Sequence, residues 1–148
     1  MKKIIFGMAV LVTLSFSAFA TVDPINGEVL KQFNENHPTA SHVKWYQGNN
    51  YYQVSFIQNE IRSTMYFNNE NHIYRTLRYY GENQLPPFIT FKVNEQYKNK
   101  EIKGVTELTE ADHGLSYQIV LEDSHNTIIV HSDNNGNLST VKKLKKSL

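Results

Sequence analysis

The sequence predicts an α+β domain: two tandem helix-plus-antiparallel-meander repeats forming one sheet with helices on one face. Three observations carry this. The segment from Tyr51 to Ile73 returns, diverged, from Ser116 to Leu138 at a constant offset of 65, placing Tyr52 on Tyr117, Val54 on Ile119, Phe56 on Leu121, Asn68 on Asp133 and Ile73 on Leu138. Each segment is preceded by an apolar stripe at helical spacing, Val29 and Phe33 in one case and Ile89 and Val93 in the other, related by an offset of 60. Between and after the stripes the apolar period is two, as half-buried strands require. Self-similarity at this length favours a duplicated supersecondary unit.

The chain opens with Met1-Lys2-Lys3, an apolar run from Ile4 to about Phe16, and small residues at Ala18 and Ala20. That is the pattern of a secretory signal peptide over residues 1–20. A membrane anchor fits less well, because the run is shorter than the roughly 20 residues a bilayer span needs. The expected exported chain is one domain over residues 21–148, with repeat one at about 23–80 and repeat two at about 85–146. Setting Lys2 and Lys3 aside leaves 13 basic against 14 acidic side chains, which predicts no attraction to nucleic acid or anionic lipid. There is no Cys, so lipid attachment and disulfides are excluded and an apolar core must hold the domain. No stretch after residue 20 predicts membrane insertion.

In chain order, Asp23 reads as a helix cap and Pro24 as the first helical residue. Ile25, Val29 and Phe33 form a stripe with Leu30 beside it, and the helix ends near Asn36 because Pro38 disfavours helical geometry at His37. From Ser41, Val43 and Trp45 alternate with Lys44 and Tyr46, and Gly48-Asn49-Asn50 turns the chain. Strands follow over Tyr51–Ile57, Ile61–Phe67 and His72 to about Tyr80, separated by turns at Gln58-Asn59-Glu60 and Asn68–Asn71. Gly81–Gln84 links to Leu85-Pro86-Pro87, which opens a second helix bearing Ile89, Val93 and Tyr97, with Phe88 and Phe91 adding apolar surface. The remaining strands are expected near Ile102–Leu108, Leu115–Leu121, Thr127–Ser132 and Leu138 to about Leu144. The segment Thr109–Gly114 reads as a loop five residues longer than its counterpart, which accounts for the change of offset from 60 to 65. Positions apolar in both copies are the expected core: Tyr52/Tyr117, Val54/Ile119, Phe56/Leu121, Met65/Val130 and Ile73/Leu138.

Several of these residues carry a resemblance. Val43-x-Trp45 opening the sheet, the alternating strand Tyr52-Val54-Phe56, the turn Phe67-Asn68 with Asn71, and Leu85-Pro86 before the second helix resemble the PepSY-like family of Bacteroidetes, with the fold of beta-lactamase-inhibitory proteins. The resemblance spans essentially the whole chain after residue 20. It departs at the first turn, where the usual acid and glycine are Asn68 and Asn71, and at Ile73, where a large aromatic is common; Asp133 and Gly136 keep the pattern in the second copy. Asn tolerates left-handed backbone best among residues with side chains, so the turn is expected to survive. The family implies an exported, non-enzymatic domain that binds or inhibits a partner.

Residue constellations with catalytic or metal-binding chemistry are scarce. The six histidines show no tight ligand spacing. Asp133-Asn134-Asn135-Gly136-Asn137 resembles a calcium loop, but its glycine falls fourth rather than sixth and no acid closes a twelve-residue loop, so a hairpin turn fits better. Glu107, Glu110 and Asp112 could suggest paired carboxylates, but acids in a strand end and loop are usually just solvated, and that reading fits better. The basic segment Val141–Lys146 suits an edge strand guarded against aggregation. With neither Cys nor a strained Ser elbow, no enzyme is expected, and no cofactor or metal is implied.

The face opposite the core is polar but unequal in the two copies. The first places Tyr46, Tyr51, Tyr66, Tyr74, Arg78 and Tyr80 there, with Lys44, whereas the second has Ser116 and His131 at the positions of Tyr51 and Tyr66. Tyr and Arg give large contact area at low ordering cost. These six residues are the expected partner-binding site of a periplasmic or secreted binding module, possessing the character of a protein inhibitor, whose partner is another exported or periplasmic protein. The alternative is an envelope protein that binds a small ligand or ion, or that self-associates.

Overall fold

The computed structural model describes residues 25–146. The expected signal peptide, and the helix start at Asp23-Pro24, lie outside the described residues. Two helices and eight strands follow in the order α1 (Gly27–Asn36), β1 (Ser41–Gln47), β2 (Tyr51–Gln58), β3 (Ile61–Asn68), β4 (Ile73–Tyr80), α2 (Pro87–Gln96), β5 (Glu101–Glu110), β6 (Gly114–Glu122), β7 (Asn126–Asp133) and β8 (Leu138–Lys145), with a short 3-10 turn at Glu82–Gln84 before α2. Every strand pairs antiparallel with its neighbours in sequence, giving one eight-stranded sheet in the order β1 to β8. The α+β class is therefore as expected.

Helix α1 begins later than the sequence suggested. Asn26 is its cap, with its side-chain oxygen accepting from the Glu28 amide at 2.8 Å, and an Asn is as good a cap as the Asp23 proposed from sequence. Ile25 stays outside the helix but packs against the core below it. The C-caps are alike: the His37 amide donates to the Phe33 carbonyl and the Tyr97 amide to the Val93 carbonyl, each at 2.8 Å. Pro87 takes the first turn of α2, where its missing N–H costs nothing.

Val29 and Phe33 of α1 bury against Val54, Phe56, Met65 and Phe67. Ile89 and Val93 of α2 bury against Val105, Tyr117, Ile119, Leu121 and Val130. These are separate clusters, so the helix side of the sheet has two cores with a seam between them. Four of the five expected core pairs pack at this interface. The exception is the Ile73 member of the fifth, the first residue of β4, which is 37% exposed. Phe88 and Phe91, expected only to add apolar surface to α2, stay 48% and 68% exposed.

The two hairpin turns after β3 and β7 are built alike. Asn68 Oδ1 accepts from the amides of Glu70 and His72; Asp133 Oδ1 accepts from those of Asn135 and Asn137. Three residues on, Asn71 and Gly136 both take left-handed backbone, φ +65° and +76°. Asp133 is thus a turn-closing acceptor rather than a calcium ligand. Hydrogen bonds from the Asn137 amide and side chain hold its carboxyl below the usual range. The expected long loop at Thr109–Gly114 is a correction: β5 runs to Glu110 and β6 starts at Gly114, leaving only residues 111–113 as the turn. The extra residues lengthen the hairpin, since Thr109 and Glu110 find strand partners in Thr76 and Arg75 across the sheet.

Candidate functional site

The register fixes which side chains share the face that no helix covers. On β2 these are Tyr51, Gln53 and Ser55, and on β3 Tyr66 and Thr64, because Val54 pairs with Met65 and both point into the α1 core. Tyr46 of β1 pairs with Gln53 and joins them. Four rings cross four strands in a row: Tyr46 to Tyr51 at 6.1 Å between centroids, Tyr51 to Tyr66 at 6.0 Å, and Tyr66 to Tyr74 at 6.0 Å. The rings are tilted against one another by 44°, 45° and 55°, at separations within the range of about 4.5–7 Å at which aromatic pairs attract. Gly48 makes room for the second ring, since a Cβ there would run into Tyr51. Burial is the first cause, ahead of the neighbouring tyrosines, of the raised pKa of Tyr66.

Two of the six expected site residues are elsewhere. The β3–β4 ladder shifts between Tyr66 and Phe67: Phe67 pairs with Ile73, but Tyr66 pairs with Arg75. Tyr74 is the extra residue of a β-bulge and stays beside Tyr66. Beyond the bulge the alternation is inverted, as a one-residue slip requires. Arg78 therefore pairs with Ser63 and Tyr80 with Val105, on the helix side of the sheet. Lys44, Tyr46, Tyr51, Tyr66 and Tyr74 share the open face; Arg78 and Tyr80 do not.

In their place the bulge delivers Arg75 and Tyr79. The Arg75 guanidinium lies 6.0 Å from the Tyr66 ring centroid and donates to Glu110 Oε1 at 2.7 and 2.9 Å. Arg62 lies 5.0 Å from the Tyr79 centroid. A guanidinium within about 6 Å of a ring centroid is drawn to the negative face of the ring. No residue in β4 marks the bulge locally, because it is a property of how β3 and β4 pair.

Arg78 and Tyr80 meet in the seam between the two cores. Arg78 Nη1 donates to Glu107 Oε1 at 2.9 Å, and the Tyr80 hydroxyl donates to Glu107 Oε2 at 2.6 Å. Burial first, then this hydrogen bond to a carboxylate, push the Tyr80 pKa well above the usual phenol value. Glu107 is thus a structural acceptor, separated in role from Glu110, which serves Arg75 on the opposite face. The expected alternative of paired carboxylates does not arise between them.

An open depression of about 710 Å³ lies beyond the C-terminal end of α2 and is walled by Glu82 and by three ion pairs, Lys100 with Asp123, Lys103 with Glu101, and Lys146 with Glu122. Hydrogen bonding to Lys100, then to the His125 and Asn126 amides, holds the Asp123 carboxyl far below its ordinary range. Among the described residues no three His, Asp or Glu side chains come together as a metal site. Among them, too, no helix is long and apolar enough to cross a membrane.

Solved structures decide the fold. It is that of a BLIP-like protein. The chain superposes on a BLIP-like protein from Bacteroides fragilis with a TM-score of 0.67 at 18% identity, covering 84% of this chain and 89% of the other. A DUF2874 family protein from Bacteroides ovatus gives a TM-score of 0.65 at 20% identity, over 83% and 89% of the two chains. A candidate periplasmic protein from Bacteroides eggerthii gives 0.63 at 14% identity, over 81% and 88%. No family model and no curated protein matches the sequence. At these identities the likeness extends to the fold.

Proposed function

We propose that the protein is an exported, non-catalytic binding module that engages another exported protein through the tyrosine row of its open sheet face. The observation that carries this reading is the unbroken row Tyr46–Tyr51–Tyr66–Tyr74, left uncovered by either helix. Large, pre-positioned rings lose little freedom on binding and displace much water, which is why they dominate interface energetics. Lys44 and Arg62 stand beside the row without a carboxylate partner among the described residues, so the partner surface that fits carries acidic groups between apolar ones. Export is read from the sequence of residues 1–20, and the PepSY-like kinship from Val43, Trp45 and the strand and turn motifs. An inhibitor is the narrower form of the same reading, supported by the fold shared with a BLIP-like protein. The two helix-and-meander halves are read as copies of one unit.

The test is capture. Wild-type protein immobilised against periplasmic extract of its source should retain a partner, and the Tyr51→Ala, Tyr66→Ala, Tyr74→Ala triple variant should release it while keeping its circular dichroism spectrum. A folded triple variant that retains the same partner would show that another surface binds it. Retention should also weaken as salt rises, because the flanking cations are solvent-screened.

A further inference from the structure

The seam on the helix side holds a cavity of about 150 Å³ with walls that include His37, Gln58, Ser63, Met65, Thr76 and Arg78. It lies on the opposite side of the sheet from the tyrosine row and shares no residue with it. The second half of the chain shows what the same place looks like when filled. Ser63 pairs with Phe56 on one side and Arg78 on the other, and the corresponding Ile128 pairs with Leu121 and Lys143. Ile128 is part of the α2 core. At the end of the helix, His37 stands where the second half has Tyr97, and Tyr97 reaches Thr140 with its hydroxyl at 2.9 Å. The first half thus carries a smaller, polar side chain at one of these places and an imidazole at the other, and a cavity adjoins them.

Three of the polar groups on the cavity wall, Ser63, Thr76 and Arg78, can donate hydrogen bonds into it. Ser63 and Thr76 line the cavity, and among the described residues neither hydroxyl is a sealed unpartnered atom, so both are open to the cavity rather than stranded in the core. Arg78 commits Nη1 to Glu107, leaving Nε and Nη2 as an adjacent pair of donors. Gln58 donates its amide to Thr39 Oγ1 at 3.0 Å, so its Oε1 is the acceptor at 2.7 Å from His37 Nδ1, and that nitrogen carries the hydrogen. Met65 and Phe56 supply an apolar wall. A guanidinium edge presents two parallel N–H groups that match a carboxylate, and two unpartnered hydroxyls can complete its oxygens.

We infer that this cavity is a binding site for a small aliphatic carboxylate, held by Arg78, Ser63 and Thr76 with its alkyl end against Met65 and Phe56. About 150 Å³ leaves room for an anion the size of acetate or propionate. Glu107 opposes a second negative charge nearby, although both of its oxygens are already engaged by Arg78 and Tyr80. With four or five heavy atoms and that opposition, the dissociation constant falls in the range of about 1 mM or weaker.

Nuclear magnetic resonance titration of the protein tests this, with sodium acetate and sodium propionate against sodium chloride at equal ionic strength and against acetamide. Saturable shifts at Ser63, Thr76 and the Arg78 side chain are expected with both carboxylates and with neither control. Ser63→Ile, which installs the residue of the second half, should fill the cavity, abolish the shifts at Thr76 and Arg78, and leave the melting temperature equal or higher. Thr76→Val, a milder change, should weaken carboxylate binding at least fivefold, and it decides the matter if Ser63→Ile does not fold. No saturable shift with either carboxylate, equal shifts with acetamide or chloride, or undiminished binding by the folded variants would overturn the assignment.

Discussion

The open face of the sheet is two different surfaces on one frame. Across β1 to β4 it carries Tyr46, Tyr51, Tyr66 and Tyr74 in contact, with Arg75 and Arg62 laid against rings. Across β5 to β8 the corresponding ladder positions hold Ser116 opposite Asp133 and Gln118 opposite His131. Beneath, the halves agree: Val54, Ile119 and Leu121 are fully buried, Phe56 nearly so, and each packs under its own helix. What is common holds the fold, and what differs lies on the uncovered face of the sheet. The same contrast holds on the helix side, where Ile128 fills what Ser63 leaves open.

The largest effects should come from breaking what the halves share. Phe56→Ala and Leu121→Ala each remove a core side chain and should cost about 2–5 kcal/mol, read from denaturant unfolding. Similar losses at the two positions would show that they do the same structural work. A much smaller loss at one would show that its half is held differently.

Glu107→Gln comes next. It leaves Arg78 without its counter-charge and replaces a charged acceptor for Tyr80, a partly buried network, so a loss of about 1–3 kcal/mol is expected. The exposed flank of Arg78, 42% accessible, keeps the figure towards the lower end. Glu110→Gln, which removes the partner of Arg75 on the open face, should cost less. This ranking sharpens the distinction between the seam and the open surface.

Gly48→Ala tests the tyrosine row alone. The added methyl should push the Tyr51 ring aside at a cost of about 1 kcal/mol, the usual scale for a surface steric adjustment. Ring-current shifts at Tyr46 and Tyr66 should change, and resonances of β6 and β7 should not.

Acid should act more on the second half than the first. The carboxyls of Glu122, Asp123 and Asp133 all lie below their ordinary values, chiefly through hydrogen bonds from Lys146, Lys100 and the Asn137 amide respectively. Carboxyls lowered by folding stabilise the fold above their unfolded pKa of about 4, and the contribution is lost as pH falls through the lower folded values. Stability should therefore be flat from pH 7 to about 5 and decline below 4, and Asp123→Asn should flatten that decline. Amide exchange followed between pH 5 and 3 should show β6 to β8 loosening before β2 and β3.

The sheet, both helices and their buried stripes were legible because period and spacing report burial directly, as at Val29, Phe33, Ile89 and Val93. The turn chemistry was legible too, since Asn71 and Gly136 mark left-handed backbone in any context. Arg78 and Tyr80 were misplaced because alternation was carried straight through β4. The bulge at Tyr74 depends on how β3 and β4 meet, and no residue in β4 announces it. Arg75 and Tyr79 were missed for the same reason. The cap of α1 at Asn26 leaves Ile25, which spacing places in the helical stripe, ahead of the helix and packed against the core from there.

One measurement bears most directly on the division of labour between the halves. The Tyr51→Ala, Tyr66→Ala, Tyr74→Ala variant and a Ser116→Ala, His131→Ala variant are compared with wild type for partner capture, with unfolding followed alongside. The first should lose capture by at least thirtyfold, the scale of a lost hot spot, and the second should capture as wild type does, with both folded. Equal capture by all three proteins, or loss confined to the second variant, would contradict the assignment of binding to the tyrosine row.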